Sequence, residues 1–151
     1  MPLKILPLVH KKFNPSAVVL QCGADGLTGD PLGVFNLTLE SFSHTLQIVL
    51  SWNLPTLLLG GGGYNSANTS RLWTKLTADC LNESLSDDIP EHSMFSLYRP
   101  GFFLKISPGN RKDYNNSESI ESKISVVIGN LNQIDKYDEE NQCPTASNLK
   151  S

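Results

Sequence analysis

A chain of 151 residues is long enough for one domain with a hydrophobic core. Its net charge of −3, with 39% hydrophobic and 18% charged residues, suits a soluble protein and argues against a general nucleic-acid binder, which would present a basic face. The three cysteines, Cys22, Cys80 and Cys143, form no C-x-x-C pair, so neither a zinc ribbon nor a dithiol redox motif is indicated, and their sparseness suits a reducing compartment.

The chain opens on a short apolar run broken by Lys4 and Pro7, a poor secretory signal. Leu3, Ile5, Leu6, Val9 and Phe13 can form one apolar face, but Pro2 and Pro7 are expected to confine any helix to its second half. Asn14-Pro15 then interrupts, because the residue before proline is pushed out of the helical region. Ser16 to Gln21 is the first predicted strand, and its apolar run Ala17–Leu20 reads as buried. Gly23 to Gly33 is a loop rich in glycine and aspartate. Thr38 is the expected N-cap of a helix whose face is Leu39, Phe42, Leu46, Val49 and Leu50. Asn53-Leu54-Pro55 ends that helix, and Thr56 to Leu59 is a second short apolar strand, closed by four glycines and Tyr64.

Strand, crossover helix and strand make a parallel pair with a right-handed crossover. Ligands of such sheets sit beyond the carboxyl ends of the strands, where Asp25 and Tyr64 both lie. Downstream, Trp73, Leu76, Cys80 and Leu81 mark a helix from Asn65 to about Leu85, with Asn65 or Asn68 near its cap. Met94–Tyr98 and Phe102–Ile106 read as a short extended pair or a surface excursion around Pro100-Gly101. Ile120, Ile124, Val127, Leu131 and Ile134 predict a last amphipathic helix, and residues 135–151 are expected to be a disordered tail. The most apolar later region, Leu46 to Leu59, contains Gln47, Ser51, Asn53 and Pro55 and will not span a bilayer.

Two residues carry the chemistry. Asp25, presented by a glycine-rich loop, reads either as an oxygen ligand for a metal or as a turn aspartate. Tyr64, after a tetraglycine that lets backbone or ligand approach closely, reads either as a phenol donating to developing negative charge or as a loop cap. Asp30 competes with Asp25, but before Pro31 it reads as turn chemistry. No G-K-[ST] follows the glycines, so this is not a phosphate loop. His10, His44 and His92 have no ligand-like spacing, no G-x-S-x-G occurs, and Cys22 reads as a small buried side chain rather than a nucleophile.

FNPSAVVLQCGADGLTGDPLGVFNLT (13–38) and LPTLLLGGGGYNSANTSRLWT (54–74) resemble the carboxyl-terminal half of class I histone deacetylases. Asp88-Ile89-Pro90-Glu91-His92, Ile106-Ser107-Pro108 and Gly129-Asn130-Leu131 are most similar to the histone deacetylase 8 branch. The resemblance covers roughly residues 8–134. It implies the carboxyl-terminal half of an arginase/deacetylase-like three-layer α/β fold with a parallel sheet, a partial domain over 1–134. It also implies zinc-dependent hydrolysis of acetyl-lysine on histone tails or other acetylated proteins, in nucleus and cytoplasm, repressing transcription, without direct nucleic-acid or membrane contact. Asp25 matches the family's distant zinc-ligand aspartate and Tyr64 its oxyanion-stabilising tyrosine, while Leu32 and Gly62 match residues lining the acyl-lysine tunnel. The family's Asp-x-His ligand pair and tandem general-base histidines have no counterpart in these residues. The chain is therefore expected to be an enzyme fragment, inactive alone. The alternative is a non-catalytic interaction or decoy protein keeping half of the fold. A generic α/β domain with a nucleotide-like pocket is a third reading, disfavoured by the missing phosphate motif.

Overall fold

A computed structural model describes residues 2–140 of the chain. Its elements in chain order are α1 (Pro2–Phe13), β1 (Val18–Gln21), α2 (Leu39–Leu50), β2 (Thr56–Leu59), α3 (Ser66–Leu81) and α4 (Ser117–Glu140), with 3₁₀ turns at Ala24–Gly26 and Phe95–Tyr98. Its described residues divide into two compact units, residues 16–113 and residues 2–15 with 114–140. Local pattern does not reveal that the first and last helices pack on each other.

In the unit of residues 16–113, β1 and β2 run parallel, Val18 facing Thr56 and Gln21 facing Leu59. The first strand is shorter than expected, since Ser16 and Ala17 stay outside it. Side chains alternate between faces along each strand. Leu20 and Leu58 pack on a core that includes Leu39 and Leu46 of α2 and Leu72 and Leu76 of α3, so both helices cover the same face of the sheet. Val19, Leu57 and Leu59 point the other way and are 67%, 56% and 43% exposed. The expectation of fully buried strands is thereby corrected. A parallel pair needs cover on both faces, and the helices of this unit supply one.

Each boundary has a local cause. Thr38 occupies the N-cap of α2 in extended conformation, although its side chain makes no cap bond to the backbone. The Thr38 hydroxyl beside the Glu40 carboxyl is the main cause of that carboxyl's lowered pKa. Beyond α2, Asn53 takes a left-handed φ of 53°, which turns the chain toward Pro55 and β2. Asn65 caps α3 by accepting the Asn68 N–H at 3.1 Å. Asn82, left-handed at φ 56°, ends α3 four residues after Ala78, whose carbonyl accepts its N–H. Ser43 of α2 donates to Asp79 of α3 at 2.5 Å, and Lys75 pairs with the same carboxylate, tying the two helices together.

The region around Pro100 is a surface excursion rather than an extended pair. Only one antiparallel bridge forms there, between Asp88 and Phe103. The carbonyls that a strand would use go to Arg71 of α3. Its Nε donates to Phe103 O (2.8 Å), and Nη2 donates to Tyr98 O (3.1 Å) and Gly101 O (3.0 Å). The guanidinium also lies over the Tyr98 ring, and Phe95 stacks on Phe102 at 4.2 Å.

In the other unit, α1 packs against α4. Pro7 lies inside α1, which starts at Pro2, so the expected restriction to the second half does not hold. Pro2 fills a first-turn position where no N–H is needed, leaving one lost bond at Pro7 for the α1–α4 packing to offset. Phe13 is exposed rather than on the covered face. Asn116 caps α4 by accepting the Ser119 N–H at 2.8 Å. The stripe Ile120, Ile124, Val127, Leu131 and Ile134 is withdrawn from solvent as expected, with Ile124 buried. The helix continues to Glu140, past the Asp135 at which the tail was expected to begin, and residues 141–151 lie outside the described residues. Among the described residues no helix is long and apolar enough to cross a membrane.

Candidate active site

The parallel ladder does not stop where the strands do. Cys22 N–H donates to Leu59 O (2.7 Å) and Ala24 N–H to Gly62 O (2.5 Å), so the loop after β1 and the glycine run after β2 travel side by side. Asp25 follows at once, in the 3₁₀ turn Ala24–Gly26. Its carboxylate lies against Gly62. A Cβ on that glycine would stand 2.7 Å from both Asp25 Cγ and Oδ2, so the approach requires a residue without a side chain. Gly63 adopts φ 145°, and a Cβ there would strike Thr69 Oγ1 at 2.5 Å and the Ala24 methyl at 2.9 Å. The glycine run therefore lays the chain flat on the Asp25 turn and then releases Tyr64, whose side chain is 56% exposed.

A second tie holds the loops together. Asp30 is buried at 4% exposure and accepts three backbone N–H bonds. Oδ1 takes those of Leu32 (2.9 Å) and Gly33 (2.8 Å), and Oδ2 takes that of Tyr64 (2.8 Å). Burial alone would raise its pKa, but the N–H groups of Tyr64, Leu32, Gly33 and Asn65 outweigh it and hold the carboxyl below the ordinary aspartate value. Asn68 adds a parallel link, its Nδ2 donating to Thr28 O at 3.2 Å. The turn role expected of Asp30 is present in the Leu32 and Gly33 bonds. The bond to Tyr64 was missed, and only its position before Pro31 in a glycine-rich loop hinted at a structured turn.

Asp25, Gly62 and Tyr64 thus meet at one carboxyl edge. Leu32 sits on the same loop as Asp25, 70% exposed. Cys22 is buried, and burial foremost, with Cys80 second, pushes its thiol pKa up, the opposite of an activated nucleophile. His44 is exposed on α2, as expected of a solvated residue, and His92 is exposed beside the Phe95 and Tyr98 rings. Among the described residues no three His, Cys, Asp or Glu side chains are grouped to hold a metal. The residues present therefore do not fit a three-ligand zinc site, and Asp25 offers a single donor.

Residues 3–80 match the family described as Histone deacetylase domain. The chain belongs to the histone deacetylase family. With the family comes the arginase/deacetylase α/β fold, to which the parallel unit β1–α2–β2–α3 corresponds. Histone deacetylase 8 of Danio rerio is 48% identical over 130 residues, covering 86% of this chain and 34% of that protein. Histone deacetylase 8 of Xenopus laevis is 45% identical over 86% of this chain and 40% of its own length. Histone deacetylase 1 of Homo sapiens is 42% identical over the same share of this chain and 27% of its own. The chain thus spans about a third of the length of the curated relatives it matches.

Proposed function

We propose that this chain contributes one wall of a deacetylase site that hydrolyses the amide of acetyl-lysine on histones or other acetylated proteins, in the nucleus and also in the cytoplasm, with repression of transcription as the outcome. The observation that carries the reading is the juxtaposition at the carboxyl edge, where Ala24 bonds Gly62 and the Asp25 carboxylate lies against the same glycine. In this reading the Tyr64 hydroxyl donates to the amide oxygen as it gains negative charge, an interaction worth more in the transition state than in the ground state. Leu32 flanks the apolar lysine stem, and the bare Gly62 backbone leaves room beside it. Asp25 is one oxygen donor to a divalent metal, proposed to be zinc. No further donors are grouped with it among the described residues, so the chain assayed alone is expected to be inactive.

The exposed Val19, Leu57 and Leu59 also favour a second reading, a non-catalytic chain that pairs with another polypeptide. One experiment separates the two. The chain is joined in frame behind the preceding region of the Danio rerio relative, and bound zinc and acetyl-lysine hydrolysis are measured. The deacetylase reading expects both. It further expects Asp25→Asn to lose zinc, and Tyr64→Phe to keep zinc while losing on the order of 10²-fold in turnover. A joined protein that folds and binds zinc but does not hydrolyse leaves the non-catalytic reading standing.

A further inference from the structure

We propose that Asp30 is a positioning residue for Tyr64, one carboxylate bracketing the two loops of the site. This rests on the deacetylase reading for the role of Tyr64, but the bracket itself stands on geometry. Asp30 Oδ1 is held by the N–H groups of Leu32 and Gly33 at 2.9 and 2.8 Å, which fixes the carboxylate within its own loop. Oδ2 reaches 34 residues along the chain and takes the Tyr64 N–H at 2.8 Å. Tyr64 directly precedes Asn65, the N-cap of α3, so the charge also sits where unpaired N–H groups of a helix start favour an anion.

The chemistry requires a carboxylate. Two oxygens must accept in two directions at once, toward Leu32 and Gly33 on one side and Tyr64 on the other. An amide has one acceptor oxygen and turns its N–H₂ toward a donor on the other side. A serine keeps a short turn bond to Leu32 or Gly33 and does not reach Tyr64. The preceding residue, Gly63, is at φ 145°. The backbone at Tyr64 thus leaves a conformation open mainly to glycine. The Ala24–Gly62 and Asn68–Thr28 bonds tie the loops on either side of Tyr64, and Asp30 is the group that bonds the Tyr64 backbone itself. Gly62 and Gly63 set the path, and Asp30 sets the end of it. The ring itself is exposed, so its direction depends on this backbone anchor rather than on surrounding packing.

The test compares Asp30→Asn and Asp30→Ser with the unsubstituted 151-residue chain by amide hydrogen exchange. Tyr64 N–H is expected to exchange about tenfold faster or more in both variants, while the Leu72 and Leu76 amides of α3 keep their protection. The serine variant, which retains the local turn, separates loss of the bracket from loss of the loop. In the joined protein described above, both variants are expected to keep their zinc and to lose on the order of tenfold to hundredfold in kcat with KM little changed, as for a misplaced catalytic group. Unchanged Tyr64 exchange overturns the bracket. Faster exchange with unchanged kcat reduces Asp30 to a structural tie and overturns its positioning role. If the unsubstituted joined protein does not hydrolyse acetyl-lysine, the deacetylase reading fails instead, and the exchange result still decides the bracket.

Discussion

Three side chains at the carboxyl edge do different work because their surroundings differ. Asp25 is exposed, which leaves its carboxylate open for the proposed metal, whereas Asp30 is buried and spends both oxygens on backbone N–H groups. Thr69 is the buried side chain on which the glycine run lies. It sits under Gly63, and its hydroxyl is buried without a hydrogen-bond partner among the described residues. The environment of Asp30 makes a pH prediction with a definite sign. Its folded pKa is depressed by the N–H groups of Tyr64, Leu32, Gly33 and Asn65 against the raising effect of burial. A depressed carboxyl contributes stability in full above its unfolded pKa of about 3.9, and that contribution disappears as pH falls through the folded value. Asp30→Asn should therefore lower the urea midpoint clearly at about pH 7, with the gap to the unsubstituted chain closing below about pH 4. A gap of equal size at both pH values would show that the carboxylate charge is not what the loops use.

At the scale of elements, α3 holds the molecule's irregular part in place. Arg71 gathers the carbonyls of Tyr98, Gly101 and Phe103 on one guanidinium and steadies it against Asn68 Oδ1 at 3.0 Å. A lysine presents one ammonium in place of a planar fork and reaches only part of that set. Arg71→Lys is expected to destabilise the chain by about 1 kcal/mol or more, because partly buried carbonyls lose their donor, and to speed amide exchange in 98–104. A loss below about 0.5 kcal/mol, the usual range for surface substitutions, would mean that the clamp is redundant. The contrast with the sequence is instructive here. Helix α2 was legible from its apolar spacing and β2 from its bounds at Pro55 and Gly60, because both signals are local. The β-α-β logic correctly brought the loops of Asp25 and Tyr64 together. The segment around Pro100 was half legible, since its carbonyls are claimed by an arginine some 30 residues upstream. Pro7 inside α1 was misread because a local helix penalty is offset by packing on α4, and the Asp30 bond to Tyr64 was invisible because it spans 34 residues.

The chain spans about a third of the length of the curated relatives it matches, and its sheet is correspondingly narrow among the described residues. Among the described residues each of the two parallel strands pairs on one edge alone, and one face as well is open at Val19, Leu57 and Leu59. Unpaired edges and contiguous apolar surface template association. The isolated chain is therefore expected to self-associate, with scattering and sedimentation that change with concentration. The register supplies a specific test, because Val19 and Leu57 are direct partners across the two strands. Val19→Lys combined with Leu57→Glu places opposite charges on a cross-strand pair that already faces solvent. The double variant should stay monomeric at higher concentration, with its unfolding midpoint changed by no more than about 1 kcal/mol, the span of strand propensities. Leu58→Lys is the control from the opposite face, where Leu58 packs on the core of α2 and α3, and it should unfold the unit rather than solubilise it. A monodisperse monomer from the unsubstituted chain at every concentration would show that the open face is no liability. Equal association of the double variant would place the contact at the strand edges, where these substitutions leave every unpaired N–H and carbonyl unchanged.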